Sequence, residues 1–197
     1  VLMYSHNTHD FGKVKVGAVK SDTVSNITNT GLVPVSFEER DVRPSTPFTV
    51  EWINSISPQS TVPLKANFTP PAAGPFSAWV FLKAKEKRDS ILLTGIGAVA
   101  KAIVNPKPLD FGIVKSNVAD TMTVTVTDSG TLALNVVRYE ITGPDKADFR
   151  VVRITNSIGS VIDTPFTILE GATVAFDVEF KTNAKTGAAH VAELCPY

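Results

Sequence analysis

Along Thr173–Phe180 apolar and polar side chains alternate residue by residue, with Val174, Phe176, Val178 and Phe180 in one set and Ala175, Asp177 and Glu179 in the other. A period of two belongs to extended backbone, whose successive side chains leave opposite faces. The run therefore predicts a strand with one buried face and one in water. Met122, Val124 and Val126 alternate with Thr121, Thr123, Thr125 and Thr127 in the same way. Between such runs lie the clusters Asn29-Thr30-Gly31, Pro70-Pro71-Ala72-Ala73-Gly74, Asp128-Ser129-Gly130 and Thr142-Gly143-Pro144-Asp145. These are turn material, because Gly supplies positive φ and Pro fixes its own. With no long helical period anywhere, the pattern predicts an all-β chain of immunoglobulin-like sandwich type.

The pattern is also written twice. His9-Asp10-Phe11-Gly12-Lys13-Val14-Lys15 returns as Leu109-Asp110-Phe111-Gly112-Ile113-Val114-Lys115. The match continues in order through Asn29-Thr30-Gly31 and Asp128-Ser129-Gly130, then Phe48 and Phe149, then Thr61–Phe68 and Thr173–Phe180. Self-similarity at about one domain length indicates tandem domains, expected at 1–98 and 99–197. Phe11 and Phe111 are expected to plug the two cores, while Gly12 and Gly112 permit a tight bend beside them. Asp-Phe-Gly in kinases holds a metal only alongside a catalytic loop and a Gly-rich loop, and neither is present. The motif Asp10, Phe11, Gly12 and Asp110, Phe111, Gly112 is thus read as structural.

Three places break the repeat. Between Phe149 and Ile168 the second copy carries extra residues, Arg150–Ile162, whose alternation reads as an extended hairpin. Ala98 to Pro108 reads as strand followed by stiff chain, because Pro106 and Pro108 restrain themselves and their predecessors. Finally, the first copy ends in Ser90-Ile91-Leu92-Leu93-Thr94-Gly95-Ile96-Gly97, whereas the second reaches Leu194-Cys195-Pro196-Tyr197 with no equivalent run. The second domain is expected to lack its last strand. Either the chain is a fragment of a longer array, or a strand from another molecule completes the sheet by β-addition. The candidate interaction edge is Ala188, Ala189, His190, Val191, Ala192, Glu193 and Leu194.

The order Asp-Phe-Gly-x-Val, Asn-Thr-Gly or Asp-Ser-Gly, Gly-Pro-Asp-x-x-Asp-Phe, then Leu93-Thr94-Gly95-Ile96-Gly97 leading to Pro106 resembles the ASH domain. That domain is the hydin-like relative of the major sperm protein fold, and the likeness is greatest to bacterial choice-of-anchor D repeat proteins. It covers nearly the whole chain. The resemblance implies tandem immunoglobulin-fold domains, a secreted or cell-surface setting, no catalytic residue, and partners that are other protein domains, including neighbouring copies or repeats of the same parent chain. Its intracellular alternative is a scaffold docking on a ciliary or centrosomal assembly.

Composition narrows the functions further. Nineteen basic and nineteen acidic residues give a formal charge of zero, which argues against nucleic-acid partners held by counterion release. The single cysteine, Cys195, excludes an intrachain disulfide and a cysteine-rich zinc site. No apolar run has the length of a membrane helix, and no basic-then-apolar stretch of signal-peptide type stands at the start of the given sequence, which begins at Val1 and so reads as a processed or excised end. The three histidines are His6, His9 and His190. His6 and His9 with Asp10 form the one metal-like spacing, but a further ligand set is missing, so no metal or other cofactor is expected. Glu170, Asp177 and Glu179 read as a solvated strand face. Trp52 and Trp79 would be the stacking residues of a carbohydrate-binding accessory domain; otherwise they are core or interface aromatics. The mixed-charge stretches Phe37–Asp41 and Lys83–Asp89 read as solvated loops or strand edges.

Overall fold

The computed structural model describes residues 1–85, 87–182 and 189–196. The chain divides into two compact units, Val1–Val99 and Ala100–Tyr197, and both are immunoglobulin-like β-sandwiches. Among the described residues no helix is long and apolar enough to cross a membrane.

The first unit contains β1 (Leu2–Tyr4), β2 (Thr8–Lys15), β3 (Lys20–Asn29), β4 (Val35–Ser36), β5 (Glu39–Arg43), β6 (Phe48–Glu51), β7 (Ser55–Ile56), β8 (Ser60–Phe68), β9 (Gly74–Ala84) and β10 (Lys87–Ala98). One sheet has the order β1-β3-β8-β6 and the facing one β2-β10-β9-β5, with β4-β7 as a short ribbon. Alternation decides which side chains go inward: on β9, Ala78, Val80, Leu82 and Ala84 are buried, while Trp79 and Phe81 between them are not. At the centre, Phe48 and Phe68 stack at 4.7 Å and 18°, and Phe11 leans on both at 5.8 and 5.7 Å. Fully burying each such ring contributes about 1.5–3 kcal/mol.

The charged stretches flagged in the sequence meet at the sheet edge. Glu39 on β5 pairs with Arg88 at 2.8 Å and with Lys83 at 3.3 Å. These exposed pairs keep an edge strand charged, which discourages adventitious pairing.

The second unit contains β11 (Ala102–Asn105), β12 (Asp120–Asp128), β13 (Leu134–Val136), β14 (Tyr139–Thr142), a 3-10 turn (Lys146–Asp148), β15 (Phe149–Thr155), β16 (Phe166–Ile168), β17 (Thr173–Phe180) and β18 (Glu193–Pro196). Its main sheet, β11-β12-β17-β15, copies β1-β3-β8-β6, and β13-β16 copies β4-β7. The extra residues do form a hairpin: β15 outruns β6, Asn156 Oδ1 accepts the Ser160 N–H at 2.9 Å, and the Ile162 N–H returns to Ile154 O at 2.9 Å.

One expectation about β17 is corrected. Asp177, assigned by alternation to the solvent face, is only 8% exposed. Arg153 Nε covers it at 2.7 Å and the Thr123 hydroxyl donates to it at 2.6 Å. The neighbouring strands β12 and β15 roof that face with long polar side chains, so alternation alone overstates its wetness.

Candidate functional site

The aromatic centre of the first unit is rebuilt in the second by Phe111, Phe149 and Phe180. Phe149 and Phe180 stack at 4.8 Å and 28°, and Phe111 stands 6.0 and 5.5 Å from them. Around Phe111 the backbone also repeats. Asp110 Oδ1 accepts the Gly112 N–H at 2.8 Å, as Asp10 Oδ1 accepts that of Gly12 at 2.9 Å. Gly112 and Gly12 share the left-handed conformation, with φ of 60° and 66°. Beyond the motif, the Asn117 N–H reaches Thr182 O at 2.8 Å as the Gly17 N–H reaches Pro70 O at 2.9 Å, and Asn117 adopts the same left-handed turn as Gly17. The motif segment of the second unit is therefore docked on its core as β2 is docked in the first.

What differs is its neighbour. In the first unit β10 lies between β2, which it pairs in parallel, and β9, which it pairs antiparallel. In the second unit β18 is the counterpart of β9 and pairs with β14 as β9 pairs with β5. That sheet holds two strands, β14-β18, and nothing among the described residues stands where β10 does. Residues 109–115, deprived of that partner, are not a strand at all. Phe111 and Val114 are half-buried, where Phe11 and Val14 are buried. On β18 the inward Leu194, and Ala192 just ahead of the strand, are likewise half-buried, unlike Val80 and Ala78. Among the described residues no strand lies between residues 109–115 and β18, and the apolar side chains that flank this position are half-buried.

Of the predicted edge residues, those described, Ala189 to Leu194, lead into and begin β18. Ala188 lies outside the described residues. Ala189 and Val191 are exposed, Glu193 and Leu194 belong to β18 and pair with Thr142 and Ile141, and Cys195 pairs with Glu140. His190 is packed against Phe180 at 5.6 Å, the place Phe76 takes against Phe68 at 6.0 Å. Its Nδ1 lies 2.8 Å from Asp148 Oδ2 and 3.8 Å from Asp145 Oδ1. Asp145 in turn accepts the Val191 N–H at 2.8 Å. The Val191 N–H bond ties the chain entering β18 to the 3-10 turn, and His190 lies beside it, a placement that its isolation in the sequence gives no sign of.

The first two histidines, His6 ahead of β2 and His9 on it, are not brought together as ligands. His9 Nε2 lies 3.2 Å from Asp22, and His6 Nδ1 2.9 Å from the Ser5 hydroxyl. Among the described residues the one group spaced for a shared ion is Asp145, Asp148 and His190. Trp52 and Trp79 are partly exposed, at 37% and 45%. Glu170 and Glu179 do not converge on a cleft; Glu179 is bound by Arg150 at 2.8 Å, which holds its carboxyl below the usual range.

No family model and no curated protein matches the chain. Among solved structures it is similar to a protein of unknown function from Porphyromonas gingivalis W83, at 11% identity and TM-score 0.37, over 91% of this chain and 83% of that one. It is similar to the Pseudomonas aeruginosa CupB2 chaperone at 12% identity and TM-score 0.37, over 98% of both chains. It is also similar to the secreted serine protease VesC of Vibrio cholerae at 10% identity and TM-score 0.37, spanning half of that protein. Likenesses this distant assign no function.

Proposed function

We propose that this chain is a non-enzymatic structural and interaction module of a longer secreted or cell-surface bacterial protein, a spacer, stalk or assembly subunit, that engages another polypeptide by taking a β-strand into the open sheet of its second unit. The single observation behind this reading is the β14-β18 pair, beside which, among the described residues, no strand takes the place that β10 takes next to β9. A strand placed there would satisfy backbone donors and acceptors on both sides while covering Phe111 and Leu194, the combination of directional bonding and apolar burial that makes strand addition specific. The ASH resemblance supports the surface setting and the protein partners.

The test uses the full chain and a labelled peptide spanning Arg88–Lys101, the segment that fills this position in the first unit. Fluorescence anisotropy should show saturable binding, lost when Leu194→Arg places a charge in the apolar wall. A chain that ignores the peptide, and remains a monomer by light scattering across a concentration series, would reduce the module to a passive spacer.

A further inference from the structure

We infer that the place beside β18 accepts its strand in one direction and one register, and selects for the pattern large apolar, any residue, large apolar, Ser or Thr, Gly. The inference rests on the strand-accepting reading above and specifies the partner's chemistry.

Direction follows from the two walls. The segment 109–115 corresponds to β2 and β18 to β9, so the incoming strand runs parallel to the first and antiparallel to the second, as β10 does. Register follows from two independent correspondences. His190 against Phe180 takes the place of Phe76 against Phe68, and Leu194 opposite Ile141 takes that of Val80 opposite Val42. Both give the same alignment of β18 on β9. In the first unit Ile91 pairs with Val80, Leu93 with Ala78, and Gly95 with Phe76. The incoming strand therefore presents one large apolar residue opposite Leu194, another opposite Ala192, and a third position opposite His190.

That third position must be glycine. A β-carbon on Gly95 would stand 2.6 Å from Phe68 Cε1, and Phe180 repeats Phe68 with the same stacked partner. The ring cannot retreat, because it is wedged by Phe149 and Phe111. The preceding position wants a hydroxyl. Thr94 Oγ1 donates to Asp10 Oδ1 at 3.1 Å, and Asp110 holds its carboxylate by the same bond to the Gly112 N–H. A hydroxyl here gains a charge-assisted bond that an apolar residue forgoes.

Cys195 reads the register directly. It corresponds to Phe81, whose partner on β10 is Ser90, so peptide position 90 should lie beside the thiol. Arg88–Lys101 peptides carrying cysteine at position 90 or 94, each as its thiopyridyl disulfide, are mixed with the full chain. The Cys195 thiol attacks the peptide sulfur, forms the new S–S bond, and releases thiopyridone with the proton. Transfer from position 90 should be at least tenfold faster than from position 94. By anisotropy, Gly95→Val in the peptide should weaken binding at least tenfold, and Thr94→Val about threefold. Tight binding of the parent peptide with equal affinity for the Gly95→Val form and no positional preference would overturn the register while leaving strand acceptance standing. No binding by any peptide would overturn both.

Discussion

Gly95 and Phe68 fit together only because one of them has no side chain: a β-carbon on Gly95 would come within 2.6 Å of the ring. Phe68 is itself fully buried and stacked on Phe48, so it has nowhere to go. Gly95→Val in the intact chain should therefore overpack the first core and cost about 1–3 kcal/mol. Faster hydrogen exchange at β8 amides, with β17 amides unchanged, is the expected signature.

The two copies of the Asp-Phe-Gly motif should differ in energetic weight. Phe11 is 1% exposed beneath β10, whereas Phe111 is half-buried beside the vacancy. Phe11→Ala should cost about 3–5 kcal/mol. Phe111→Ala should cost less than half as much in the unliganded chain, measured by denaturant unfolding, and the gap should narrow once the Arg88–Lys101 peptide is bound.

A second contrast concerns Asn29 and its counterpart Asp128. Asn29 Nδ2 donates to the carbonyls of Val33, Ile56 and Ser57 at 2.8–3.2 Å. Asp128 is equally buried and keeps the bond from the Gly130 N–H at 2.8 Å, but its Oδ2 has no hydrogen-bond partner among the described residues. An unsatisfied buried oxygen is costly. Asp128→Asn should therefore stabilise the second unit by about 1 kcal/mol, raising its unfolding midpoint.

Acid should weaken the second unit through Asp177 and Glu179. Both carboxyls are held below their ordinary values, Asp177 chiefly by the Thr123 hydroxyl and then by Arg153, Glu179 chiefly by Arg150. A carboxyl lowered by folding contributes its full stabilisation above the unfolded value, about 4, and loses it as pH falls through the folded value. Stability of β17 should thus be flat from neutral pH down to about 5 and decline below about 4. Asp177→Asn should remove part of that decline and cost about 1 kcal/mol at neutral pH.

Much of this architecture was legible before any coordinates, because strand alternation, turn chemistry and the hundred-residue repeat all point the same way. The given sequence holds no second copy of the run Ser90–Gly97, and among the described residues no strand stands where β10 does. Other features were not legible there. The burial of Asp177 depends on Arg153 and Thr123 from two other strands, which no periodicity within β17 encodes. His190 looked isolated because Asp145 and Asp148 reach it only once the 3-10 turn is folded. Phe111 was expected to fill its core as Phe11 does; it falls short because half of its cover was to come from a strand that the described residues do not supply.

The most direct test of strand acceptance is backbone hydrogen exchange at Phe111–Lys115 and Glu193–Cys195, with and without the Arg88–Lys101 peptide. Both segments should exchange quickly in the free chain and become protected together on saturation, at least tenfold at the amides that face the vacancy. Protection of neither, at peptide concentrations that saturate any anisotropy change, would show that the peptide binds elsewhere and that the second unit is not completed by a donated strand.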